Sequence, residues 1–116
     1  MTTLTVTALK KTYLVKDKPL EVLKEVTFTA NCSGITVILG ESGCGKTTLL
    51  RLISGLEKQD AGLIDFSEPT KLGMVFQEAR LMPWLNTKDN ITFGLRSPAS
   101  QQELKALLAT VGLTGF

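Results

Sequence analysis

Leu4, Val6 and Ala8 alternate with threonines near the start of the chain, and Val26, Phe28 and Ala30 repeat that spacing inside Val22 to Ala30. A period of two with polar residues between predicts two antiparallel strands, each with one solvated face. Lys16-Asp17-Lys18-Pro19 between them is a turn signal. Ser33-Gly34 breaks the alternation, and Ile35-Thr36-Val37-Ile38-Leu39 follows as a nearly continuous β-branched run. Such a run predicts a strand buried on both faces. A helical pattern then occupies Thr47 to Ser54, with Gly55 as its stop. Gly62–Phe66 and Leu72–Phe76 are further strand predictions, and no period holds from Gln77 to Asn86, which reads as a loop. Thr87 is the predicted cap of a short helix running to about Leu95. Ser100-Gln101-Gln102-Glu103 is a capping box, and the helix behind it carries Leu104, Leu107, Leu108 and Val111 on one stripe, with Gly112 as its end. There is no internal repeat. The apolar ending, Leu113 to Phe116, reads as a chain that stops partway through an architecture.

Composition narrows the function classes. The chain has 116 residues, enough for one modest domain, with 43% hydrophobic and 21% charged residues, an ordinary globular balance. Its formal charge of +2 and its scattered basic residues, Lys10-Lys11 apart, argue against a nucleic-acid partner. Histidine is absent, which excludes imidazole as base, ligand or switch. Cys32 and Cys44 form no C-x-x-C pair, so neither a zinc site nor a secreted disulfide framework is expected. No apolar run approaches the ~18 residues that span a bilayer, and Met1-Thr2-Thr3-Leu4 lacks a signal-peptide layout. The expected setting is soluble, reducing and cytosolic.

The chemistry concentrates in Gly40-Glu41-Ser42-Gly43-Cys44-Gly45-Lys46-Thr47-Thr48, which matches G-x-x-x-x-G-K-[ST] between a predicted strand and a predicted helix. Glycines let successive backbone N–H groups converge on phosphate oxygens, and the helix adds its positive N-terminal end. Lys46 supplies a point charge for β- and γ-phosphates, and the Thr47 hydroxyl is a hard oxygen ligand suited to Mg²⁺. The candidate nucleotide-binding set is therefore Gly40, Ser42, Gly43, Cys44, Gly45, Lys46, Thr47 and Thr48. A thiol at Cys44, beside a helix N-terminus and a lysine, is a candidate for ready modification. Its plainer reading is a small tolerated filler, while Cys32 is expected to be packed or idle.

With this loop placed, the chain resembles the N-terminal half of the ATP-binding subunit of an ATP-binding cassette (ABC) transporter. The resemblance rests on Lys11-Thr12-Tyr13, Val22-Leu23-Lys24-Glu25-Val26, the Gly40–Leu50 stretch, Ser54-Gly55-Leu56-Glu57, Gly62 and Gly73-Met74-Val75-Phe76-Gln77-Glu78. Glu78-Ala79-Arg80-Leu81-Met82-Pro83-Trp84-Leu85 resembles the branch that imports nitrate, sulfonate, taurine and related small solutes. The resemblance implies an α/β P-loop NTPase fold. It would have a mainly antiparallel β region over 1–34, a P-loop core with part of a parallel sheet over 35–76, and the Q-loop with the start of a helical subdomain over 77–116. It implies ATP and Mg as ligands and Tyr13 as the aromatic that stacks on adenine. Gln77 becomes the Q-loop glutamine that positions Mg²⁺ or the attacking water, with Lys46 as the other catalytic candidate. Among partners it implies a membrane-spanning permease subunit near Leu81-Met82-Pro83-Trp84-Leu85 and a second ATP-binding subunit as a homodimer. The implied location is peripheral, on the inner face of the cell membrane.

Departures from the family pattern limit the expected activity. Hydrolysis in that family uses an apolar strand ending in aspartate and then a glutamate base, after the Q-loop. Here Asp17, Asp60, Asp65 and Asp89 are the only aspartates, and none ends a four-residue apolar run. Asp65, after Leu63-Ile64, precedes Gln77. The L-S-G-G-Q-type signature and the switch histidine are missing, and Gln59 stands where a proline is common. The expectation is nucleotide binding, weak at best, without turnover. Two alternatives stay open: a non-catalytic nucleotide-binding or interaction module from a split or truncated gene, and a small-molecule P-loop kinase. The kinase reading needs arginines clustered over the phosphates, whereas Arg51, Arg80 and Arg96 are dispersed.

Overall fold

The computed structural model describes residues 1–115; the final residue of the apolar ending, Phe116, lies outside the described residues. The chain forms two compact units, Met1–Met74 and Val75–Phe116.

In the first unit, β1 (Thr3–Val15) and β2 (Lys18–Asn31) form an antiparallel hairpin, with Val15 opposite Lys18. The two residues between them, Lys16 and Asp17, both take left-handed backbone angles, with φ of 50° and 62°. That is the geometry by which a two-residue turn follows the natural strand twist. β3 (Ala61–Phe66) pairs antiparallel with the other edge of β1, giving the order β2-β1-β3. One face of the sheet supplies Leu4, Val6, Leu9 and Leu23 to the core, and α1 (Lys46–Ile53) supplies Leu49 and Leu52. The i, i+3 spacing of the two helix leucines places them on one face of α1. Val26, Phe28 and Ala30 pack against this cluster from β2, as their alternation predicts.

Ala8 departs from that alternation. It is exposed at φ 47°, and the register slips between Val6 and Leu9, so Leu9 becomes fully buried in its place. The slip is a β-bulge, in which one extra residue re-aims every side chain beyond it. The Ala8 amide donates instead to Thr27 Oγ1 at 2.8 Å.

Two of the predicted strands are not formed among the described residues. Ile35–Leu39 pairs with nothing, and Ile35, Val37 and Leu39 are 96%, 69% and 87% exposed, though Ile38 touches the core. Leu72–Phe76 likewise has no strand partner, and Val75 is 97% exposed. A strand buried on both faces needs hydrogen-bonded neighbours at its edges and packed layers above and below. Neither run has them within the described residues.

The second unit contains α2 (Thr87–Thr92) and α3 (Gln101–Thr110). Asn86, not Thr87, caps α2, its side chain accepting from the Asp89 amide at 2.8 Å, and the helix stops at Thr92 rather than near Leu95. Asparagine is the better cap because its short amide oxygen reaches the third helical N–H without a β-branch. The capping box of α3 forms as expected: Glu103 N donates to Ser100 Oγ at 3.1 Å, and Ser100 N donates to Glu103 Oε2 at 2.9 Å. Leu104 is the buried residue of that helix, and Gly112, at φ 77°, follows its end.

Candidate functional site

The phosphate loop leads into α1 through two left-handed glycines, Gly43 at φ 78° and Gly45 at φ 105°. Gly45 is the N-cap residue of α1, and it must be glycine for space as well as for φ. A Cβ there would stand 2.9 Å from Val22 Cγ1 and 3.3 Å from the Val22 carbonyl oxygen. The loop therefore rests directly on β2, which sets where the first N–H groups of α1 point.

Lys46 Nζ donates to the carbonyl oxygens of Gly40 at 2.7 Å and Glu41 at 2.6 Å. Cys44 Sγ lies 3.5 Å from the same ammonium. The lysine is thus folded onto its own loop, holding a positive charge at the mouth of the helix N-terminus. Tyr13, Val22, Gly43, Gly45, Lys46, Thr47 and Thr48 line one pocket of about 320 Å³. Gly40 and Cys44 adjoin it through Lys46, and Ser42 is exposed in the same loop. Thr47 brings a hydroxyl oxygen to the pocket wall. No group of three acidic, histidine or cysteine side chains is gathered among the described residues. A single hydroxyl oxygen is the kind of donor that suits a magnesium ion held chiefly by phosphate oxygens and water.

Cys44 and Cys32 are both free and exposed, so Cys32 is not packed. Alkylation of Cys44 in a Cys32→Ser background is expected to weaken ATP binding at least about tenfold, because the added group takes the space beside the Lys46 ammonium. Saturating ATP should slow the alkylation, as read by mass spectrometry. Unchanged ATP binding after complete modification would show that this side chain does not border the phosphates.

Tyr13 stands near the end of β1, opposite Leu20, and is half-buried. Its phenol donates a short hydrogen bond to Glu57 Oε2, and Arg51 Nη1 lies 3.4 Å from Glu57 Oε1. That bond, with partial burial second, holds the phenol above its usual pKa, and it holds the Glu57 carboxyl below the usual carboxylate range. The pair therefore supports the fold across neutral pH. Its contribution is lost as pH falls through the lowered Glu57 value, or rises through the raised Tyr13 value.

In the second unit, Gln77 is exposed beside Phe76, whose ring carries the Arg80 guanidinium at 3.8 Å from its centroid. The following apolar loop leaves Leu81 and Trp84 74% and 76% exposed, with Met82 and Leu85 half-buried. Asn90 pins this loop: its Oδ1 accepts from the Met82 amide at 2.8 Å, and its Nδ2 donates to the carbonyls of Met82, Leu85 and Asn86. Tyr13 and the phosphate-loop residues come together within one unit, while Gln77 belongs to the other. Asn90, Arg51 and Glu57 carry no role on sequence grounds, because no periodicity links Glu57 to a tyrosine 44 positions earlier.

The G-x-x-x-x-G-K-[ST] pattern of Gly40–Thr47, wound through two left-handed glycines into the N-terminus of α1, marks the P-loop class of proteins. More specifically, the chain belongs to the ABC transporter family, whose model matches residues 23–116. It is 40% identical over 114 residues to the aliphatic sulfonates import ATP-binding protein SsuB of Corynebacterium glutamicum, covering 94% of this chain and 44% of that protein. It is 45% identical over 101 residues to aliphatic sulfonates import ATP-binding protein SsuB 3 of Pseudomonas savastanoi pv. phaseolicola, covering 80% and 36%. The chain thus spans less than half the length of these relatives. Among solved structures it is similar to the dimeric ATP-binding cassette MJ0796 in a post-hydrolysis state bound to ADP and Pi. The TM-score is 0.74 at 26% identity, covering 90% of this chain and 54% of that one. The expected ABC-type fold class is therefore borne out.

Proposed function

We propose that this chain is the nucleotide-binding portion of the ATP-binding subunit of an importer for aliphatic sulfonates or chemically similar small solutes such as taurine or nitrate. The observation that carries the reading is the single pocket at the N-terminus of α1, where Tyr13 faces the same space as Gly43, Gly45, Lys46, Thr47 and Thr48. Backbone N–H groups of the first turn and the Lys46 ammonium hold the phosphates, and Tyr13 offers a flat surface to the base. Thr47 would hold Mg²⁺, which when bound neutralises phosphate charge. The names of the sulfonate-import relatives support the solute class. The exposed Leu81 and Trp84, on a loop braced by Asn90, fit an anchor for a permease subunit. Gln77, just before that loop, would couple nucleotide state to it, and the dimeric cassette MJ0796 supports pairing of two such subunits. No helix is long and apolar enough to cross a membrane among the described residues, which accords with a peripheral location beside a permease.

Nucleotide turnover is a different matter. Phosphoryl transfer is mostly positioning and charge stabilisation, and no apolar strand ending in Asp-Glu and no histidine is present. The kinase alternative is not favoured, since Arg51 is engaged by Glu57 and Arg80 lies on Phe76. Equilibrium dialysis with labelled MgATP tests the reading. Saturable binding is expected, with no Lys46-dependent release of phosphate. Absence of any nucleotide or polyphosphate binding would overturn it.

A further inference from the structure

Tyr13 reaches the nucleotide pocket from a strand end whose opposite residue, Leu20, is 53% exposed. Packing alone does little to hold a ring there. Polar contacts gather at it instead. Its hydroxyl donates to Glu57. Lys11 Nζ stands 5.3 Å from the ring centroid, fixed in turn by the Lys58 carbonyl at 2.9 Å and Asp60 Oδ1 at 3.6 Å. Glu57 is itself anchored to α1. Its amide and that of Leu56 both donate to the Arg51 carbonyl, at 3.3 Å and 3.0 Å, and the Arg51 guanidinium meets the carboxylate oxygen that the phenol leaves free. One short segment behind the C-terminal end of α1 thus ties the aromatic wall to the helix whose other end is the phosphate loop.

We propose that Glu57 is a positioning residue of this site: it locks the Tyr13 ring at the pocket wall, so that the ring meets the base of a nucleoside triphosphate while the start of α1 meets its phosphates. This rests on the nucleotide reading above and deepens it. The clamp makes the site prefer a triphosphate carrying a flat aromatic base over a bare polyphosphate. Arg51 supports the carboxylate, and a hydrogen bond to a charged group is stronger and more directional than a neutral one.

Two readouts separate the possible failures. Tyr13 is the only tyrosine in the chain, so alkaline ultraviolet titration reports its hydroxyl directly. The midpoint is expected to fall in Glu57→Ala. The second readout is the ratio of ATP to inorganic tripolyphosphate affinity, from displacement of labelled ATP. Glu57→Ala and Tyr13→Phe should each lower this preference by about threefold to tenfold, the worth of one tethering hydrogen bond. The double variant should lose no more than either alone. Glu57→Gln, whose amide oxygen still accepts the phenol proton, should keep most of the preference, which a loss of fold would not spare. Tyr13→Phe removes a single oxygen and carries the same test should Glu57→Ala fail to fold. An unchanged tyrosine midpoint in Glu57→Ala would overturn the clamp. A shifted midpoint with the base preference intact would overturn its positioning role. A wild-type chain that binds neither ATP nor tripolyphosphate would instead overturn the nucleotide reading, and this inference with it.

Discussion

Replacing Lys46 with alanine is expected to weaken binding of MgATP and of tripolyphosphate alike, by about tenfold to a hundredfold. A hydrogen bond to a charged group is worth roughly 1.5–3 kcal/mol, and here the same group supplies the cationic side-chain charge that lines the pocket. The ammonium now bonds the carbonyls of Gly40 and Glu41 at 2.7 Å and 2.6 Å, so it needs only to turn from carbonyl to phosphate oxygen. Because both carbonyls are exposed, water replaces the lost donor, and the variant's urea midpoint should lie close to that of the wild type. Added salt should erode wild-type binding more steeply than that of the variant, since a point charge has been removed. Dialysis at two ionic strengths measures both effects. Equal affinity in the two proteins would mean that the lysine never leaves its carbonyls and that phosphates bind elsewhere.

Gly62→Ala is expected to cost about 3–5 kcal/mol of stability, a large share of the 5–15 kcal/mol typical of a domain. Gly62 has φ 92° and faces the bulge of β1. A Cβ there would stand 2.4 Å from the Ala8 carbonyl oxygen and 2.6 Å from that of Thr7, and both are backbone atoms of the central strand. Neither can move without opening the β1–β3 pairing that brings Ile64 and Phe66 to the core. Gly55 serves as the comparison. It has φ 78° but no atom within 4 Å of the position a Cβ would take, so Gly55→Ala should cost only the left-handed penalty of about 1–2 kcal/mol. Urea denaturation of both variants decides the matter. A Gly62→Ala protein no less stable than Gly55→Ala would mean that β3 does not lie this close to the bulge.

Local chemistry made much of this legible in advance. The two alternating runs, the turn between them, the helix after the phosphate loop and the capping box each rest on residues within a few positions of one another. The bulge at Ala8 was not legible, because a period of two says nothing about where a register slips. Neither was the exposure of Ile35–Leu39, whose pattern implies neighbours without showing whether they are present. The family resemblance could place Tyr13 beside a nucleotide but not Glu57 beside Tyr13, since that contact closes a loop of 44 positions.

The sequence by itself determined the family, the phosphate loop and the absence of histidine, because these depend on residue identity and short spacing. Only the tertiary structure decided which glycine cannot change, which leucine is buried and which carboxylate holds the tyrosine. Those outcomes follow from approaches between distant segments, where a few tenths of an ångström separate contact from overlap. That is why Gly62, Leu9 and Glu57 acquire their meaning only when β1, β3 and α1 are packed together.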